Sequence, residues 1–118
     1  RVVLLDVSAP FHSKLMKSAV ERMQNVLDTI KFLDFEIPMV TNFDARTITD
    51  KSKIKRLLLD QLTSPVLWHQ SINYLNSNLG VKSFLEVGPK NVLSGLIKRI
   101  VPDCNILNFG EKADLEKI

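Results

Sequence analysis

Short apolar runs alternate along this chain with stretches whose apolar residues fall at helical spacing, and that alternation limits the folds open to it. Val2-Val3-Leu4-Leu5-Asp6-Val7 is a nearly continuous apolar run, the pattern of a strand covered on both faces. Leu15, Ala19, Met23, Val26, Leu27 and Ile30 share one face of a helix predicted over 13–30. Residues 35–40 read as a strand, which Pro38, lacking an amide hydrogen, restricts to an edge or a strand end, and 41–45 as the loop after it. Asp50 stands where it can cap a helix carrying Ile54, Leu57, Leu58 and Leu62. Ser64-Pro65 has the form of a further helix start, with Gly80 as its left-handed stop. Strands are predicted over 81–87 and 105–109. Between them Val92, Leu93, Leu96, Ile97 and Ile100 mark a helix, and a polar, poorly ordered tail is expected over 111–118. The order β-α-β-α-α-β-α-β argues for an α/β fold with a mostly parallel sheet and helices on both faces, in one domain or part of one.

Bulk composition narrows the class. The chain has 118 residues, 45% of them hydrophobic and 25% charged, which is ordinary for a water-soluble domain with a modest core. No apolar run approaches the ~18 residues of a bilayer span, so no membrane segment is expected. No leader pattern is visible, and an opening directly on a strand suggests a piece of a longer protein. The single Cys104 excludes an internal disulfide and a cysteine-based metal site, and favours a reducing compartment such as the cytoplasm. Net charge is +3 with a pI near 9.1. The basic residues are interspersed with acids and form no aromatic-interleaved stripe, so nucleic acid is not expected as a partner. A mildly basic surface suits an acidic protein.

The candidate chemistry centres on His12, which follows Val7-Ser8-Ala9-Pro10-Phe11 at the carboxyl end of the first predicted strand. In an α/β sheet that is where reactive groups gather. His12 reads either as a general base or as a loop histidine with its bonds satisfied locally. His69 falls on the polar side of its helix. A histidine base usually serves a serine or cysteine. The Gly-x-Ser-x-Gly elbow is absent, Ser94 lies inside an apolar helix, and Cys104 reads as a small packed residue. No phosphate loop or metal-ligand spacing occurs, so no cofactor is expected. Phe11 could wall a pocket or simply pack. Asn42 and Gln61, taken singly, are ordinary amides near element ends.

Four phrases then line up in order. Residues 7–13 with Leu15-Met16 resemble the histidine motif of malonyl-CoA:acyl-carrier-protein transacylases. Ile37-Pro38-Met39-Val40-Thr41-Asn42-Phe43-Asp44-Ala45 resembles the next strand and loop, and Asp60-Gln61-Leu62-Thr63-Ser64-Pro65-Val66-Leu67-Trp68 the glutamine-containing segment. Phe84-Leu85-Glu86-Val87-Gly88-Pro89, followed by residues 92–100, resembles the last strand and helix.

The resemblance is to the carboxyl-terminal third of such an enzyme. It implies an α/β-hydrolase-like large subdomain over 8–110, entered by an exit strand over 1–7 from a ferredoxin-like small subdomain. It also implies transfer of malonyl from malonyl-CoA to the phosphopantetheine thiol of acyl carrier protein through a malonyl-serine ester. The serine elbow and the arginine that holds the malonyl carboxylate would lie in the missing amino-terminal part, leaving this fragment inactive alone. His12 would be the catalytic base, Gln61 would orient it through its main-chain carbonyl, and Phe11 and Asn42 would line the substrate pocket.

An acidic carrier protein would find candidate contacts in Lys51, Lys53, Lys55, Arg56, Lys98 and Arg99. A non-catalytic docking fragment and a domain of a multidomain synthase are the alternatives. Two departures stand out. Lys90 replaces the second glycine of the family's Gly-Pro-Gly turn, which would strain it by roughly 1–2 kcal/mol if that position is left-handed. Ser18 replaces a proline common after Leu-Met.

Overall fold

The computed structural model describes Val2 and residues 8–117, with side chains described through Asp114. Apart from Val2, the strand expected over 2–7 lies outside the described residues. The chain divides into two compact units, Arg1–Leu67 and Trp68–Ile118.

In the first unit the chain turns tightly before its first helix. Phe11 N donates to Ala9 O at 2.9 Å. Ser13 Oγ donates to Pro10 O at 2.7 Å and accepts from Leu15 N at 3.3 Å, which caps a short 3-10 turn, Lys14–Met16. Helix α1, Lys17–Leu27, follows. It stops short of the expected Ile30 because Thr29 and Ile30 turn their N–H groups back to Val26 and Leu27, and Thr29 Oγ1 adds a bond to Val26 O. Of the predicted apolar face only Leu27 is buried, whereas Leu15 is 77% exposed.

Strand β1 is Met39–Val40, shorter than the run predicted over 35–40. It pairs antiparallel with a strand not anticipated, β2, Thr47–Ile48. The cause is the intervening turn. Thr41 Oγ1 and Arg46 N both donate to Asp44 Oδ1, and Ala45 takes a left-handed φ of 53°. Helix α2, Lys51–Thr63, begins where expected, with Asp50 accepting from Ser52 N and Ser52 Oγ. α1 and α2 pack together, with Leu27, Ala45, Ile48 and Ile54 buried in this unit. The Lys55–Asp28 ion pair ties α2 to the end of α1.

The second unit opens on α3, Trp68–Asn73, which runs into a wider π-helical turn over Tyr74–Asn78. The helix expected from Ser64 therefore starts at Trp68. Ser64 is extended (φ −116°, ψ 153°), as a residue before proline prefers, and Leu67 spends its N–H on Asn42 O. Gly80 ends the helical stretch at φ 70°, as predicted.

Strand β3, Ser83–Val87, pairs in parallel with β4, Asn105–Phe109, across helix α4, Val92–Ile100. A parallel pair needs such a crossover. Ile72, Ile97 and Cys104 form the core here, with Trp68, Phe84 and Ile106 packed on it. The Glu86 carboxylate reaches the start of α4 and accepts from Leu93 N, Ser94 N and Ser94 Oγ. Asn91, at the cap position itself, makes no side-chain cap bond.

The tail expected to be poorly ordered instead forms a 3-10 turn, Lys112–Lys117. Buried Asp114 anchors it by accepting from Gly110 N and Glu111 N. The α/β content stands, but the expected mostly parallel sheet does not appear as such. Among the described residues there are two two-stranded sheets, one antiparallel and one parallel.

Candidate active site

His12 sits in the turn before α1 with φ 57°, a left-handed conformation that histidine visits more readily than most side chains. That backbone carries the ring to α2, where Nδ1 lies 3.0 Å from the main-chain oxygen of Gln61, a partner 49 residues away. A carbonyl oxygen can only accept. The Nδ1 nitrogen must therefore carry the hydrogen of this bond, and in the neutral ring Nε2 is left with a lone pair. An exposed imidazole held in that tautomer is equipped to take a proton at Nε2.

Gln61 can supply its carbonyl because it lies in the last turn of α2, where helix carbonyls lose their intrahelical donors. The structure thus brings together two of the four residues singled out from the sequence. Phe11 stands next to His12 in the chain and is 56% exposed. Asn42, in the turn after β1, is engaged through its main-chain oxygen with Leu67 N at 2.8 Å, which pins the segment leaving α2.

The other candidates fall into structural roles. His69 is exposed and bonds Asn73 one turn along α3. Cys104 is buried in the core. Ser94 gives its hydroxyl to Glu86. Among the described residues, no group of His, Cys, Asp or Glu could hold a metal ion, and no helix is long and apolar enough to cross a membrane.

Five of the six basic residues proposed as carrier-protein contacts, all but Arg99, have partners within the chain. Lys51 pairs with Asp34 at 2.8 Å, Lys53 with Asp50 at 4.0 Å, Lys55 with Asp28, and Arg56 with Asp60 at 3.4 Å. Lys98 Nζ donates to Cys104 O at 3.2 Å. A cleft of about 430 Å³ between β2 and α2 is lined by Phe43, Ile48, Lys53, Arg56 and Leu57, among others, and does not include His12.

No family model matches the sequence. The chain superposes on solved structures of malonyltransferases. One is an acyl-carrier-protein-S-malonyltransferase from Bartonella henselae, with a TM-score of 0.91 and 38% identity over 99% of this chain and 37% of that one. Another is a type II PKS acyl-carrier protein in complex with its malonyl-transacylase, with a TM-score of 0.87 and 35% identity over 96% of this chain and 36% of that one.

A curated relative, the malonyl CoA-acyl carrier protein transacylase of Bacillus subtilis (strain 168), is 46% identical over 100 residues, covering 85% of this chain and 31% of the relative. The chain belongs to the malonyl CoA-acyl carrier protein transacylases. It spans about a third of the length of the curated relatives it matches.

Proposed function

We propose that the whole protein carrying this chain transfers malonyl from malonyl-CoA to the phosphopantetheine thiol of an acyl carrier protein in fatty-acid synthesis. The observation that carries this reading is the His12 Nδ1–Gln61 O bond, which leaves Nε2 as the basic nitrogen. In the first half-reaction Nε2 takes the proton of a serine hydroxyl outside this chain, and the serine oxygen attacks the malonyl thioester. The imidazolium then protonates the departing coenzyme A thiolate. The second half-reaction runs the same steps with the carrier thiol as nucleophile and serine as leaving group. A neutral carbonyl on Nδ1 fixes the ring without adding a charge, the place an aspartate takes in hydrolase triads.

On this reading residues 8–110 belong to an α/β-hydrolase-like large subdomain. Residues 1–7 lead out of a ferredoxin-like subdomain, and 111–118 form a tail. Phe11 and Asn42 line the malonyl pocket, where a phenyl ring beside the base would crowd an α-methyl branch. The enzyme works in the cytoplasm, and no cofactor is needed.

The test is transfer of radiolabelled malonyl by the full-length protein and its His12→Ala variant. A loss of about 10²–10⁴-fold is expected, the range of general acid–base help. Unchanged transfer removes His12 from the reaction. The isolated 118-residue chain is expected to transfer nothing.

A further inference from the structure

The carbonyl that holds His12 is available for a reason that lies four residues further on. In an α-helix the oxygen of residue i accepts from the N–H of residue i+4. For Gln61 that donor would be residue 65, and residue 65 is proline, which has none. The same ring disfavours helical backbone at the residue before it, and Ser64 is accordingly extended, so α2 ends at Thr63. Leu67 N, two residues further on, is committed to Asn42 O. The oxygen of Gln61 is therefore left pointing out of the helix end without a helical donor, and His12 Nδ1 meets it at 3.0 Å.

We propose that Pro65 is a positioning residue for the base: by withholding an N–H from Gln61 O it reserves that oxygen for His12 Nδ1 and so fixes the ring tautomer. An alanine at this position would restore a donor at the i+4 place and allow α2 to continue. Gln61 O would then be shared between two donors. The His12 ring would spend more of its time unanchored, with Nδ1 and Nε2 exchanging the proton, and fewer molecules would present a basic Nε2. This inference rests on the reading of His12 as the base, and its test separates the two.

The experiment uses the full-length protein, with selectively ¹⁵N-labelled histidine, and reads both ring nitrogen shifts of His12 and the pH profile of malonyl transfer. In Pro65→Ala the fraction of neutral ring protonated at Nδ1 is expected to fall. Transfer should drop roughly tenfold, the equivalent of one ordinary hydrogen bond. A second variant carries lactic acid at position 65 in place of proline. It has the methyl group of alanine but an ester oxygen where the N–H would be, so it withholds the donor as proline does. It is expected to recover the Nδ1–H tautomer and most of the lost rate.

An alanine variant that keeps the parent tautomer and rate overturns the proposal. So does a lactic acid variant that loses the tautomer, because the ring of proline rather than its missing donor would then be what matters. The lactic acid measurement stands even if the alanine variant does not fold. If His12→Ala transfers malonyl normally while the tautomer still responds at position 65, the catalytic reading fails and the positioning survives.

Discussion

At the scale of single residues, the turn at Lys90 makes a quantitative test. Its φ of 72° places a side chain in the left-handed region, where glycine sits without cost, and its oxygen is fixed by Asn108 Nδ2 at 2.7 Å. The strain expected from the sequence is thus present. Lys90→Gly removes it but loosens the unfolded chain, so a net gain of about 0.5–1 kcal/mol is expected. Urea unfolding of the full-length protein checks this, and a loss of stability would mean that the lysine side chain makes up for its backbone.

His12 shares the same conformation, and there no pattern in the sequence announced it. A left-handed histidine has no neighbour signature comparable to a glycine in a turn. Gln61 was equally hidden to a reading of side chains, because its part in the site belongs to its main-chain oxygen. Only the family resemblance pointed to it, although Pro65 four residues on was visible throughout.

Among the elements, α4 depends on a cap borrowed from a strand. Glu86, on β3, accepts bonds from Ser94 Oγ, Ser94 N and Leu93 N at the helix start. The Ser94 hydroxyl is the first cause that holds its carboxyl below the ordinary glutamate value of 4.5, with the two backbone donors adding to it against the opposing effect of desolvation. A carboxyl with a lowered folded-state pKa stabilises the fold above its unfolded value and loses that contribution as pH falls through the folded one. Glu86→Gln is therefore expected to lower stability at neutral pH and to flatten the acid side of the curve. Unfolding midpoints at about pH 5 and about pH 3 should differ less in the variant than in the parent. An equal drop in both would assign the acid sensitivity elsewhere.

The elements that were legible in the sequence are those whose local signals agree. α2 has a capping aspartate and a helical apolar period, and β3, α4 and β4 have period and length. β2 is not legible in the sequence because two residues, Thr47 and Ile48, display no period at all. The start of α3 is not legible in the sequence because serine and proline, a sound helix opening in isolation, here follow the end of the previous helix. The anchored tail carries no sequence signal because Asp114 binds backbone N–H groups, which leave no mark in composition.

At the scale of the whole molecule, the second unit leaves much apolar surface uncovered. Along β3 the side chains alternate, and the face bearing Leu85 and Val87 is exposed, Val87 at 72%. Val92 and Leu93 at the start of α4 are exposed too. Exposed apolar side chains in such number bind other apolar matter when they adjoin. The isolated chain is expected to bind an apolar fluorescent dye strongly. Val87→Lys combined with Val92→Lys should reduce the signal, and the full-length protein should bind far less per molecule. Equal binding by the full-length protein would show these faces uncovered there as well.

The bond between His12 and Gln61 closes a loop of 49 residues that contains α1, the hairpin and most of α2. A contact across so long a loop exists only while the intervening chain is folded. The tautomer of His12 is therefore not a local property of a turn but a readout of the folding equilibrium of the first unit. If His12 is the base, loosening buried Ile54 is expected to thin the population of molecules with an anchored ring while leaving each remaining one as active as before.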